Sequence, residues 1–147
     1  MSAENTVKTK EKPTIPVELR TWFVIHCIVD LAVALPLFWA PETVLGLLGW
    51  ETIDPAVSRL VAAALLGIGM ESYLGRKAGF EVFYGMLNLK IIWSFFAVLG
   101  LLISLDGLTG TRNIVTMAVM LIFLGFNVVW VYWKYRLFQL KKSSAKL

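Results

Sequence analysis

Residues 19–39 read LRTWFVIHCIVDLAVALPLFW, a mostly apolar run that carries one histidine, His26, and one aspartate, Asp30, in its interior. At ~1.5 Å of rise per residue such a helix is about 31 Å long, enough to cross the ~30 Å hydrocarbon layer of a bilayer. The rest of the chain repeats this signature. Of its 147 residues 58% are hydrophobic, against roughly 45–50% in an average soluble domain, and only 16% are charged. Four spans of ~20 residues would use about 80 residues, close to the whole apolar complement. The fold class read from this arithmetic is all-α, an integral membrane four-helix bundle. A soluble globular domain, a disordered chain and a disulfide scaffold are excluded together, the last because Cys27 is alone.

Outward from residues 19–39, the segment 1–18 is polar, with Lys8, Lys10 and Lys12 against Glu4, Glu11 and Glu18, and Pro13 and Pro16 prevent a continuous helix. It reads as a loosely ordered tail. Ala32-Val33-Ala34 resembles a signal-peptide cleavage site, but the apolar run continues past it, so we read an uncleaved span, kinked at Pro36. The following PETVLGLLGWETID, residues 41–54, is too short to cross. It predicts a short interfacial helix with Val44, Leu45, Leu47 and Leu48 dipped into the membrane surface. Asp54-Pro55 reads as a cap followed by proline in a first helical turn and opens a second span over 56–74. Gly75 and Gly79 bracket a basic turn, Arg76-Lys77. A third span follows over 80–105, then a turn with Asp106, Gly107 and Gly110, and Thr111 is placed to cap a fourth span over 112–137. The transmembrane domain is thus 19–138, followed by a basic tail over 139–147.

Charge orients the bundle. With these spans, eleven Lys and Arg residues fall on the side of the termini, whereas only Arg59 and Arg112 fall on the other, and Lys90 lies inside the membrane. By the positive-inside rule both termini are cytoplasmic. Trp22, Trp130 and Trp133 are then expected at the inner interface and Trp39 and Trp50 at the outer one. The net charge of +4 follows from this topology and from anionic lipid, so no nucleic-acid partner is expected.

The informative residues are those that hydropathy alone would have excluded: His26, Asp30, Glu71, Asn88, Lys90 and Asn127. Each is costly in lipid. Their positions along the spans place them about 6 to 15 Å from the cytoplasmic side, as one layer. His26 and Asp30, four apart, share a helix face, and Asp30 and Lys90 have similar depth, which predicts an Asp30–Lys90 ion pair. Asn88 and Lys90 lie about 200° apart on their helix, and Lys90, with the larger desolvation cost, is expected to face inward. Two roles fit this layer: a polar pocket that binds a small amphipathic or lipid-like ligand, or buried glue that fixes helix register. A proton relay through Asp30 and His26 is a third, with Glu71 and Arg59 as solvated edges. Ala63, Gly67 and Gly75, in a row with Glu71, form a small-residue surface suited to close helix approach, so a homo-oligomer or a membrane-protein partner is expected. Metal-ligand, nucleophile, phosphate-loop and redox motifs are lacking, so no metal and no cofactor are expected and no catalytic residue is assigned. The terminal Ala-Lys-Leu resembles a peroxisomal address.

With these spans placed, the Pro-Glu-x-x-Leu-Gly segment at 41–46 and the small-residue second span RLVAAALLGIGMESYLG at 59–75 resemble the DoxX-like group of small four-span membrane proteins. The resemblance covers about residues 19–138 and implies the four-span fold. A further set of residues is similar to the emopamil-binding family of sterol isomerases, in which a histidine and an acidic residue four apart, a further Glu, and an Asn three residues before a Trp surround a sterol-like ligand. His26, Asp30, Glu71, Asn127 and Trp130 fall in that order. The likeness implies protonation of an alkene by one group, deprotonation by another and stabilisation of the cation by Trp130. Asp30 stands where that family has Glu, no proline follows Trp130, and four spans replace five. The candidate ligand-binding set is therefore His26, Asp30, Glu71, Lys90, Asn127 and Trp130.

Overall fold

The structure, a computed structural model, describes residues 14–107 and 109–144. Most of the polar N-terminal tail (1–13) and the terminal Ala-Lys-Leu lie outside the described residues. The elements are α1 (Val17–Trp39), α2 (Pro41–Leu47), α3 (Pro55–Leu74), a single 3-10 turn (Gly75–Lys77), α4 (Phe80–Ser104) and α5 (Gly110–Ser144). The architecture is all-α, and α1, α3 with its turn, α4 and α5 are each long and apolar enough to cross a membrane. Their outer faces carry large apolar side chains such as Ile28, Leu60, Ile103 and Ile114, each more than 60% exposed. A water-soluble bundle would bury them; a lipid-facing one need not.

Local chemistry explains the breaks. Asp54 caps α3, its carboxylate accepting from the backbone N–H of Ala56 at 2.9 Å and of Val57 at 3.2 Å, and Pro55 follows where a missing N–H costs nothing. Between α2 and α3 the chain turns at Gly49, whose φ of +95° suits only a residue without Cβ. α5 begins at Gly110, before Thr111, so Thr111 is not its cap. That helix also runs on to Ser144, and the basic stretch 139–144 is helical up to that point, where Lys141 meets Glu81 of α4 at 3.1 Å.

The helices assort into two pairs, α1 with α3 and α4 with α5, while the backbones of different pairs stay farther apart. Within the first pair Gly69 allows the closest approach: a Cβ there would stand 2.8 Å from Cβ of Asp30. Guanidinium groups tie both ends of this pair. Arg20 of α1 donates to the carbonyl of Arg76 after α3, and Arg59 of α3 donates to the carbonyl of Phe38 at 3.2 Å.

Side chains join the pairs. At the end of the bundle where α1 starts and α5 finishes, a cluster of Leu19, Phe23, Phe83, Leu87, Trp130, Trp133 and Leu137 fills the space between them. Trp130 is fully buried and Trp133 nearly so, so both rings pack into the core cluster and do not face outward as belt residues do. Trp39, 77% exposed, does face outward at the α2 end. The small-residue row is divided. Gly75 packs against Met86, but Ala63 and Gly67 are exposed, and α3 uses Ala62, Leu65, Gly69 and Ser72 as its buried face instead.

Candidate functional site

Four residues from three helices meet at mid-height in the seam between the pairs. Lys90 of α4 is 3% exposed. Its ammonium donates to Ser72 Oγ of α3 at 2.6 Å and lies 3.2 Å from Nδ1 of His26 on α1. The rings of Phe23 and Trp130 close over it with centroids at 4.9 and 5.1 Å, so a buried ammonium is met by a hydroxyl oxygen, an imidazole nitrogen and two π faces. Asn88, two residues earlier, is only half-buried, and the inward choice of Lys90 holds.

Asp30 does not pair with Lys90, contrary to expectation. His26 Nδ1 stands between them, 2.9 Å from Asp30 Oδ2 and 3.2 Å from the ammonium. One ring nitrogen cannot donate to the carboxylate and accept from the ammonium at once. The proton on Nδ1 faces Asp30 in one tautomer and is absent in the other, where the ring accepts from Lys90; apart from this ring, Asp30 Oδ2 is buried without a hydrogen-bond donor among the described residues. The same imidazole lies edge-on to Trp130 and Phe126, centroids at 5.2 and 4.8 Å, while the indole N–H of Trp130 is buried without a partner among the described residues.

One turn away, Asn127 of α5 donates to the carbonyl of Ile91 at 3.0 Å and to Ser94 Oγ at 2.9 Å, which ties α5 to α4. Glu71 stands apart. It is exposed, at the mouth of a crevice of about 10 Å³ that it shares with Ile68, Ser72, Met86, Leu89 and Lys90, the lower limit for a single water. Of the six predicted ligand-binding residues, the structure therefore gathers His26, Asp30, Lys90 and Trp130, places Asn127 beside them, and leaves Glu71 at the edge. Ser72 and Ser94 complete the network and were not singled out from sequence. Their helical spacing to Glu71's neighbour Ile68 and to Lys90 was the available signal, since each hydroxyl bonds back to the carbonyl four residues earlier.

The large cavity lies elsewhere. About 500 Å³ open between the pairs on the α2 side of this layer, lined by Val33 and Leu37 of α1, Val61 and Leu65 of α3, Trp93, Phe96, Ala97 and Gly100 of α4, and Val115, Thr116, Val119 and Phe123 of α5. Val44, Leu45 and Leu48 cap it. Those three side chains turn into the bundle, and Leu47, 82% exposed, is the residue of the short helix that points out. On all four long helices the lining stops one turn short of the polar layer: Val33 before Asp30, Leu65 before Gly69, Trp93 before Lys90, Phe123 before Asn127. The polar layer is the floor of the cavity, and none of the six predicted residues lines its walls.

Comparison of the chain with protein-family models, with curated proteins and with solved structures finds no match.

Proposed function

We propose that the protein binds a lipid-like ligand inside the membrane, in the apolar cavity between its two helix pairs. The observation that carries this is the cavity itself: about 500 Å³, within the roughly 300–1,000 Å³ of small-ligand sites, with Thr116 as the only hydroxyl in its wall. Such a volume inside a bilayer is filled by hydrocarbon, because water would find almost no partner there. By charge asymmetry the termini are cytoplasmic and the cavity belongs to the outer leaflet. The polar layer serves this site from below, fixing the pairs at mid-height and setting how deep a ligand can reach.

Gly100 offers a direct test, because a Cβ there would meet nothing within 4 Å. Thermal unfolding of the detergent-solubilised protein should shift upward with hexadecanol, and Gly100→Phe, whose Cβ has open space and whose ring would occupy the cavity, should abolish the shift. Stabilisation that survives Gly100→Phe would refute the assignment.

A scaffolding role in a larger membrane assembly is supported by one feature, the outward face of α3 on which Ala63 and Gly67 are exposed. Gly67→Leu would then dissociate the assembly on a native gel while leaving ligand binding intact. Isomerase-like chemistry would need the substrate alkene beside His26. On α1 the cavity wall ends at Val33, two turns from His26, so turnover of a sterol alkene that is lost in His26→Ala is the result that would favour it.

A further inference from the structure

We propose that the ligand is a single-chain amphiphile with an anionic head, carboxylate or phosphate, whose head is held by Arg112 at the rim of the cavity. The proposal rests on the cavity reading above and adds the ligand's chemistry. Arg112, Thr116, Val119 and Phe123 follow one another at spacings of four, three and four residues, so they occupy one face of α5. Thr116, Val119 and Phe123 line the cavity, and Thr116 is 4% exposed. Arg112, one turn further out on the same face, is half-buried and follows directly beyond the last lining residue of that row, Thr116.

Its position is fixed from the other side. The stem of Arg112 packs where a Cβ on Gly49 would be, 3.5 Å from Cγ, and Gly49 belongs to the turn that follows the capping helix. The ion pairs among the described residues are His26–Asp30 and Lys141–Glu81, and Arg112 is in neither. Its guanidinium is a charged fork at the rim, with a buried hydroxyl one turn below. Guanidinium groups match planar carboxylate and phosphate oxygens with paired N–H donors. The other cation of this end, Arg59, is already engaged with the Phe38 carbonyl.

The dimensions suit one chain. From Arg112 to Phe123 the helix rises about 16 Å, close to the ~15 Å of one leaflet of a ~30 Å hydrocarbon core. An amphiphile from that leaflet with its head on Arg112 would end its chain at the polar floor. At the deep end the lining is Val33, Leu65, Trp93 and Phe123, which carry no charge to pair with an anionic head pointing the other way.

The experiment compares three probes of equal chain length on the purified full chain, at mildly alkaline pH where the acid is ionised: hexadecanoate, hexadecyl phosphate and hexadecanol. At least one anionic probe should bind about tenfold tighter than the alcohol, as a charge-assisted hydrogen bond at a half-exposed rim allows. A preference for one of the two identifies the head. Arg112→Gln should bring the anion's affinity down to that of the alcohol, and Arg112→Lys, which keeps the charge but loses the paired donors, should retain only part of the preference. Equal affinity of all three probes for the wild type, or a preference that survives Arg112→Gln, overturns the assignment of the head while leaving the cavity in place. Failure of every probe to bind overturns the cavity reading itself.

Discussion

Lys90→Met tests whether the buried layer is held by charge or only by hydrogen bonds. The ammonium is 3.2 Å from His26 Nδ1 and Nδ1 is 2.9 Å from Asp30 Oδ2, so cation and carboxylate are at most about 6 Å apart. At an effective dielectric of ~20 their attraction is about 3 kcal/mol. Methionine keeps the length of the side chain but leaves the Asp30 charge without the cation that stands at this distance, so about 3 kcal/mol of attraction is lost. Asp30→Asn in the same chain removes the stranded charge. In a double-mutant cycle the coupling between the two positions should therefore be about 2–3 kcal/mol, with Lys90→Met/Asp30→Asn more stable than Lys90→Met alone. Reversible unfolding by SDS in mixed micelles, followed by tryptophan fluorescence, measures it. Hydrogen bonds between membrane helices average about 0.6 kcal/mol in such cycles. A coupling of that size or smaller would show that Asp30 does not compensate Lys90, and the electrostatic account of the layer would be wrong.

Three further outcomes use the same unfolding measurement or a labelling assay. Gly69→Ala should destabilise by about 1–3 kcal/mol, because its Cβ would stand 2.8 Å from that of Asp30, whereas Gly67→Ala, with nothing within 4 Å, should be neutral or gain up to about 1 kcal/mol of helix propensity; equal effects at both positions would contradict the packing of α1 on α3. Asp54→Ala should cost about 1 kcal/mol by uncapping α3, and Asp54→Asn, which can still accept from the same N–H groups, should recover most of it. In a Cys27→Ala background, a cysteine at Ser144 should react with an impermeant thiol reagent only from the cytoplasmic side and one at Glu51 only from the opposite side; the reverse pattern would invert the topology.

What could be read without the structure was whatever is local along the chain or fixed by depth. Asp54-Pro55 announces the start of α3 because a cap and its proline act on adjacent residues. His26 and Asp30 are visibly on one face because four residues make a turn. Lys90 had to face inward because the alternative is an ammonium in lipid. Residue counting gives height along the membrane normal but no angle around it, so it predicts an Asp30–Lys90 pair where the structure puts His26 at the intervening angle. Ser72 and Ser94 escaped notice for an energetic reason: a hydroxyl that bonds back to its own helix, 2.6 Å to Ile68 and 2.7 Å to the Lys90 carbonyl, carries little hydropathic penalty and leaves no trace in an apolar run. Arg112 could be seen from sequence only as a topological charge. Its place at the rim depends on Gly49, which is sixty-odd residues away in the chain and beside it in space.

The cavity follows from where bulk is placed on α4. On the termini side of Lys90 this helix presents Phe83, Met86 and Leu87 to the opposite pair, and with Phe23 and Trp130 they fill the seam. On the α2 side Ala97 and Gly100 interrupt the large Trp93, Phe96 and Leu101 of α4, and Val33 and Val61 of the opposite pair and Val115 and Val119 of α5 add short side chains to the wall. Two helix pairs held at one fixed separation leave space where such short residues face one another. The separation is fixed at mid-height by Lys90, which cannot leave Ser72 and His26 without stranding an ammonium in hydrocarbon. If the polar layer acts in this way, loosening it should change how the cavity binds before it changes whether the chain folds. Ser72→Ala removes one acceptor from Lys90 and leaves the charges of Lys90 and Asp30 in place. It should weaken hexadecanol binding more than it lowers the unfolding free energy, and equal losses in both would mean that the layer stabilises the bundle without shaping the site above it.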